Sequence, residues 1–288
     1  HTRYDLYAQA YLPLMPDQVS LGLLQSYMPS FCKAMDLVIT PSEGMEKVLR
    51  ELNVEGHIEV VPNGVDLKKF STAIPLSRVD FGYTNNEILL VYAGRIALEK
   101  NIPFLLQSFA GIAQALPNVH LLLIGGGVHL YEEEIRSLVG SLDITQRVRL
   151  IGKIEYDQLP AYLAMCDLFV TASVTEVHPL SVIEAMGTGL PIMGIQSVGV
   201  GDTVQDGVTG YLATQDQPSF TAKLTRLCLD QNLRCQMGDA ARKASSTYAI
   251  ERTTKLMLKL YEKLAKELPT GKRNWSLRLR KILEKFKQ

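Results

Sequence analysis

Residues 88–125 read "ILLVYAGRIALEKNIPFLLQSFAGIAQALPNVHLLLIG". Two apolar runs, 88–94 and 119–125, flank a segment at 101–115 with helical spacing. Neither run alternates apolar with polar residues. A strand that is apolar at every position is buried on both faces, as in a parallel sheet with helices on either side.

The same unit repeats downstream. Helix-patterned 131–140 leads to strand "VRLIG" (148–152), helix 156–165 leads to strand "DLFVTAS" (167–173), and helix 179–187 leads to strand "PIMGI" (191–195). Helical patterns at 216–231, 232–246 and 250–267 close the series. The fold class predicted is α/β, a Rossmann-like doubly wound domain.

Upstream lie strand "DLVIT" (36–40), helix "SEGMEKVLREL" (42–52) with Ser42 as its N-cap, and strand "IEVV" (58–61). The turn-rich "PNGVDLKKF" (62–70) then reads as a linker. Two strands do not form an independent sheet. The first 60 residues therefore read as the end of another sheet, and the start at His1 without a methionine leads us to expect an upstream part. Four segments result: a remnant of an N-terminal domain (1–66), a complete C-terminal domain (67–247), a helix crossing back (248–268) and a tail (269–288).

Lys plus Arg and Asp plus Glu number 30 each, so no global field draws the chain to nucleic acid. No apolar run approaches the roughly 18 residues of a membrane span. The four cysteines, Cys32, Cys166, Cys228 and Cys235, lack zinc-ligand spacing and read as reduced core thiols of a cytoplasmic protein.

The chemistry is carried by "EVHPLSVIEAMGTGLP" (176–191), in which seven residues separate Glu176 and Glu184. Pro179 suits the first turn of a helix, whose free N–H groups near Leu180 and Ser181 then offer an anion site. Gly187 and Gly189 are expected at its end, where a positive φ is often needed. Two carboxylates beside an anion site make sense if they accept hydrogen bonds from sugar hydroxyls; the plainer reading is two solvated acids. At the end of another strand, "AGRIALEK" (93–100) places Gly94, Arg95 and Lys100 on the same edge of the sheet. A guanidinium plus an ammonium can neutralise a diphosphate, although two ordinary surface cations are the plainer reading. "GGG" (125–127) is by itself a weak signal, consistent with a plain strand-to-helix turn.

Taken together, "AGRIALEKN", "IGKIEYDQLPAYLAMCDLFVTAS" and "TEVHPLSVIEAMGTGLPIMG" resemble the retaining glycosyltransferases of family 4, which have the GT-B fold. "VVPNGVDLKKF" is similar to that family's interdomain connection, and the resemblance spans roughly residues 1–265. It implies that Arg95 and Lys100 bind the donor diphosphate as leaving group. It further implies that Glu176 holds the donor sugar and Glu184 the ribose, and that backbone near Lys153 and Ile154 meets the base and backbone near Leu180 and Ser181 the phosphate. The nucleotide-sugar is then a substrate, and neither a cofactor nor a metal is expected. "SVGVGD" (197–202) lies where the family usually carries a Gly-Gly and then a Glu; here Val200 breaks the pair and Asp202 follows. "HTRYDLY" is similar to the segment that ends an N-domain strand in lipid-directed members, which implies that His1 points toward the donor sugar and makes Arg3 and Tyr4 weaker acceptor-side candidates.

Residues 271–288, "GKRNWSLRLRKILEKFKQ", carry seven Lys or Arg and one Glu. On a helical wheel Trp275, Leu279, Ile282, Leu283 and Phe286 share one stripe, with Arg278, Arg280, Lys281, Lys285 and Lys287 outside it. That pattern suits an anionic membrane surface on the inner face of a membrane, or equally a helix packed on the N-terminal domain. Three functions stay open at this point. They are a UDP-glucose-type transferase acting on a lipid, a transferase with a soluble acceptor of the sucrose or sugar-phosphate type, and a non-catalytic nucleotide-sugar-binding protein.

Overall fold

In the computed structural model, residues 3–11 and 16–267 are described. His1 and the tail 271–288 lie outside them. Two helices open the chain, α1 (Tyr4–Tyr11) and α2 (Asp17–Lys33). Strand β1 (Val38–Thr40), helix α3 (Glu43–Glu51) and strand β2 (Ile58–Val60) follow. β1 and β2 pair in parallel, Val38 opposite Ile58. Ser42 caps α3 as expected, its side chain accepting from the Met45 N–H at 3.2 Å. Cys32, Met45, Val48, Leu49 and Val54 form a small core against this two-stranded sheet.

The linker is not wholly irregular. Its second half is helix α4 (Leu67–Ser71), because Phe70 is fully buried and Leu67 packs on the same core, which selects the helix over an open loop. Its first half is tied down at Val65, which donates to Tyr248 O at 2.9 Å and accepts from Ile250 N at 3.0 Å.

The larger unit begins with β3 (Ile88–Ala93), α5 (Ile102–Ala115), β4 (Val119–Ile124), α6 (His129–Ser141) and β5 (Val148–Gly152). It continues through α7 (Leu159–Met165), β6 (Leu168–Val170), α8 (Leu180–Thr188) and β7 (Ile192–Ile195). Helix α9 (Val198–Thr203), β8 (Gly210–Ala213), α10 (Gln217–Leu229) and α11 (Gln231–Ser245) complete it, and α12 (Ile250–Glu267) follows. All six strands are parallel in the order β5-β4-β3-β6-β7-β8. Leu90 and Tyr92 point into one core, while Leu89, Val91 and Ala93 point into the other. The unbroken apolar runs thus reflect a sheet covered on both faces.

Strand order reverses between β3 and β6. Chains leaving the C-terminal ends of these neighbours diverge, and the crevice between them is where an open α/β sheet holds its ligand. Strand β8 and helix α9 were not expected from the sequence. "SVGVGD" is helical rather than a loop, and Asp202 Oδ2 accepts the Gly44 N–H at 2.7 Å, tying α9 to the start of α3.

Two further expectations are corrected. Cys32, Cys166 and Cys228 are buried free thiols, but Cys235 is exposed, on the solvent side of α11. Gly187 lies within α8 and does not end it. A side chain there would meet Leu67 and Phe70 of α4, so its role is close packing, while Gly189 alone supplies the positive φ (+92°) of the C-cap.

Candidate active site

The floor of the crevice is backbone. Gly94 (φ +157°) donates to Ile124 O at 2.9 Å, and Ile96 N donates to Gly126 O at 3.0 Å. At Gly125 (φ +135°) an added Cβ would stand 1.8 Å from Gly94 O, and at Gly127 one would stand 1.9 Å from Ile96 O. The glycine run therefore lets the loops after β3 and β4 touch, which a simple turn does not require.

Above this floor is a cleft of about 880 Å³, within the range of small-molecule sites. Gly94, Arg95, Lys153, Ile154, Leu180, Ser181 and Glu184 all line it, so seven residues marked from the sequence converge on one space. Gly126, Glu132 and Tyr156 join them. Helix α8 starts at Pro179, which sits at the N-cap rather than inside the first turn, with no side-chain cap. Its first N–H groups, at Leu180 and Ser181, thus stand at the cleft with the positive end of the helix dipole.

Lys100 and Glu176 lie to the side of that cleft, at the switch point. Lys100 closes a 3-10 turn (Leu98–Lys100) after β3, and Glu176 follows β6. They are joined to each other, Lys100 Nζ to Glu176 Oε1 at 2.6 Å, with side chains 14% and 21% exposed. The two carboxylates of the seven-residue spacing are therefore in different states. Glu176 is neutralised by a cation. Glu184 is buried inside α8 and accepts the Tyr156 hydroxyl at 2.7 Å. Burial pushes the Glu184 pKa above the ordinary carboxylate range, against the opposing pull of that hydrogen bond.

Arg95 is more than half exposed and paired with Glu99 at 2.6 Å, and it donates to the Tyr7 hydroxyl at 3.2 Å. Sequence reading missed Glu99, Tyr156 and Glu132. Glu99 stands four residues after Arg95 within the quoted motif, a spacing that could have flagged it. Tyr156 is two residues past Ile154, in a turn whose capping box (Glu155 with Gln158) is written in the sequence. Glu132 accepts the Gly127 N–H at 2.6 Å and so holds the glycine floor. His178, between Glu176 and α8, was also passed over. It is buried against the Tyr248 ring (centroids 5.1 Å apart), and burial lowers its pKa to about 4. Among the described residues no group of three or more His, Cys, Asp or Glu has the arrangement of a metal site. Nor is any helix among them long and apolar enough to cross a membrane.

Comparison with known proteins gives the family. Residues 75–244 match the glycosyl transferases group 1 family, and residues 1–69 match glycosyltransferase family 4. Alpha-monoglucosyldiacylglycerol synthase of Streptococcus pneumoniae is 26% identical over 218 residues, 74% of this chain and 48% of that protein. N-acetyl-alpha-D-glucosaminyl L-malate synthase of Bacillus anthracis is 29% identical over 248 residues, 85% of this chain and 61% of that protein. The chain thus spans about half the length of the curated relatives it matches. Among solved structures, sucrose-phosphate synthase from Thermosynechococcus elongatus superimposes with a TM-score of 0.80 at 26% identity, covering 92% of this chain and 66% of that one. With a family match over more than half its length, and with its parallel sheets arranged as in these GT-B neighbours, the chain belongs to the group 1 glycosyl transferases.

Proposed function

We propose that this chain carries the donor-binding half of a retaining glycosyltransferase that uses a nucleotide-diphosphate-sugar, of the UDP-glucose type, without a metal ion. The observation that carries this reading is the convergence of Arg95, the open N-terminus of α8 and Glu184 on one cleft, with Lys100 and Glu176 at its side. Arg95, Lys100 and the α8 N–H groups face the diphosphate, Glu184 the ribose, Glu176 the donor sugar, and backbone at Lys153 and Ile154 the base.

In the reaction an acceptor hydroxyl oxygen bonds to the anomeric carbon as the bond from that carbon to the diphosphate breaks. The electron pair leaves on the β-phosphate oxygen, and the hydroxyl proton passes to the departing phosphate on the same face. Fixed positive groups at that oxygen stabilise the charge as it develops. They supply the role a divalent cation would otherwise play, which supports the metal-independent reading. His1, preceding the described residues, is assigned to the donor sugar.

The acceptor is read as a membrane lipid. The diacylglycerol-directed relative and the basic amphipathic pattern of 271–288 support this, and they support a cytoplasmic protein resting on the inner face of a membrane. The malate-directed relative, aligned over more of the chain, favours a soluble acceptor instead. Deleting 271–288 separates the two, since the lipid reading requires that vesicles containing anionic lipid lose the protein.

The donor reading is tested by thermal shift with uridine, guanosine and adenosine diphosphate sugars on wild type and Arg95→Ala. One nucleotide class is expected to raise the wild-type unfolding temperature, and Arg95→Ala is expected to abolish most of that rise. Equal shifts in both proteins would remove Arg95 from the site.

A further inference from the structure

Arg95 is held from an unexpected direction. Its partner Glu99 has a fully buried side chain, and the second carboxylate oxygen of Glu99 accepts the Tyr11 hydroxyl at 2.5 Å. Tyr11 belongs to α1, 88 residues away in sequence. Tyr7, one helical turn earlier, stacks on Tyr11 (centroids 6.0 Å apart) and accepts from Arg95. Two tyrosines of one helix thus grip both members of the Arg95–Glu99 pair.

The same turn anchors the rest of the site. Glu99 O accepts from Thr175 Oγ1 at 3.1 Å and from Ser173 Oγ at 3.4 Å, on the segment leading to Glu176. Lys100, the next residue, pairs with Glu176 itself. A buried carboxylate with one oxygen committed to a hydroxyl has the other free for a single guanidinium contact. Arg95 then keeps its remaining N–H groups for a ligand in the cleft. Without the Tyr11 hydroxyl, both oxygens of Glu99 would turn to Arg95, since a bidentate pair is the stronger arrangement. That pairing would use a further guanidinium N–H and leave fewer for a ligand in the cleft.

We propose that Glu99 and Tyr11 are positioning residues for the donor diphosphate. Glu99 sets the guanidinium of Arg95 at the cleft, and Tyr11 makes that setting depend on α1 being docked. Helix α1 begins at Tyr4, which the family resemblance makes an acceptor-side candidate, so its docking and the readiness of the phosphate site become one event. The proposal rests on the nucleotide-sugar reading above. The hydroxyl of Tyr11 is pushed up to about 12 by its bond to Glu99, and it therefore stays a donor across the physiological range.

The test is a double-mutant cycle on the intact protein, with the affinity for uridine, guanosine and adenosine diphosphate measured by calorimetry. Tyr11→Phe keeps the ring and its stacking and removes only the hydroxyl. It is expected to weaken binding about tenfold in the wild-type background and by less than about twofold in Arg95→Ala, because the two act as one unit. Glu99→Gln is expected to show the same non-additivity. An equal loss in both backgrounds, or a lower unfolding temperature with unchanged affinity, would show Tyr11 to be merely structural and overturn the proposal. If the wild type binds none of the three diphosphates, the donor reading itself fails and this inference fails with it. If Arg95→Ala weakens binding and Tyr11→Phe does not, the donor reading stands and this inference alone is lost.

Discussion

Lys100 Nζ lies 2.6 Å from Glu176 Oε1, so the cation read as a phosphate ligand and the carboxylate read as a sugar ligand are joined across 76 residues of sequence. Each neutralises the other. On the proposed donor reading, a diphosphate that takes Lys100 would release Glu176 toward sugar hydroxyls, which would link phosphate and sugar recognition.

That linkage is measurable. Lys100→Ala or Glu176→Ala alone leaves a largely buried charge without its partner, and each is expected to destabilise the ligand-free protein more than half as much as the double variant does. The coupling between them should be about 1–3 kcal/mol by urea denaturation. Saturating nucleotide-sugar should shrink that coupling, since it replaces the pair. A coupling unchanged by ligand would mean that the pair stays closed on binding.

Burial of Glu184 carries a stability signature that depends on pH. Its folded pKa is raised by burial, so the folded state keeps this proton to a higher pH than the unfolded chain does. The favourable contribution is present at low pH and is lost as pH rises from the ordinary carboxylate value through the raised one. Glu184→Gln retains an acceptor for Tyr156 and removes the buried charge. Its unfolding temperature at pH 7–8 should equal or exceed that of the wild type, with the difference narrowing toward pH 4.5, the ordinary glutamate value. Nucleotide binding should fall in the same variant. A wild type that is more stable by the same margin at both pH values contradicts this.

His178 acts in the reverse sense. Burial depresses its pKa to about 4, with Asp202 pulling weakly the other way, and neither ring nitrogen has a hydrogen-bond partner among the described residues. The unfolded chain takes up a proton first as pH falls, so stability is lost between the ordinary value of 6.5 and about 4. The loss amounts to about 3 kcal/mol at most. His178→Phe keeps a ring against Tyr248. It should match the wild type at pH 7.5 and exceed it at pH 5, as read by chemical denaturation at each pH.

Gly125→Ala tests the crevice floor. A methyl group there collides with Gly94 O, and the positive φ adds strain. We expect a loss of about 2 kcal/mol or more and weaker nucleotide binding. Gly82→Ala has the same sign of φ but open space around it, so it should cost stability without touching affinity.

The alternation of apolar strands with helices, the cap at Ser42, the cations after β3 and the two spaced glutamates were all legible in the chain. Each depends on neighbours a few residues apart, and local period and turn chemistry express such neighbours directly. The seven residues that line the cleft were legible for a related reason. All lie at the C-terminal edge of a parallel sheet, and that edge follows from strand direction alone.

Other features required the folded molecule. The pairing of Lys100 with Glu176, the Tyr156 hydroxyl on Glu184 and the grip of Tyr7 and Tyr11 on Arg95 and Glu99 depend on which strands and helices become neighbours. β3 lies beside β6 because of sheet order, which no local period encodes. Gly187 reads in sequence as a helix end, and only the packing of α4 against α8 makes it a contact point. Sequence thus determined which chemical groups stand at the edge of the sheet. The tertiary fold decided which of them neutralise one another, because charges pair by distance in space and that distance is set by the order of the strands.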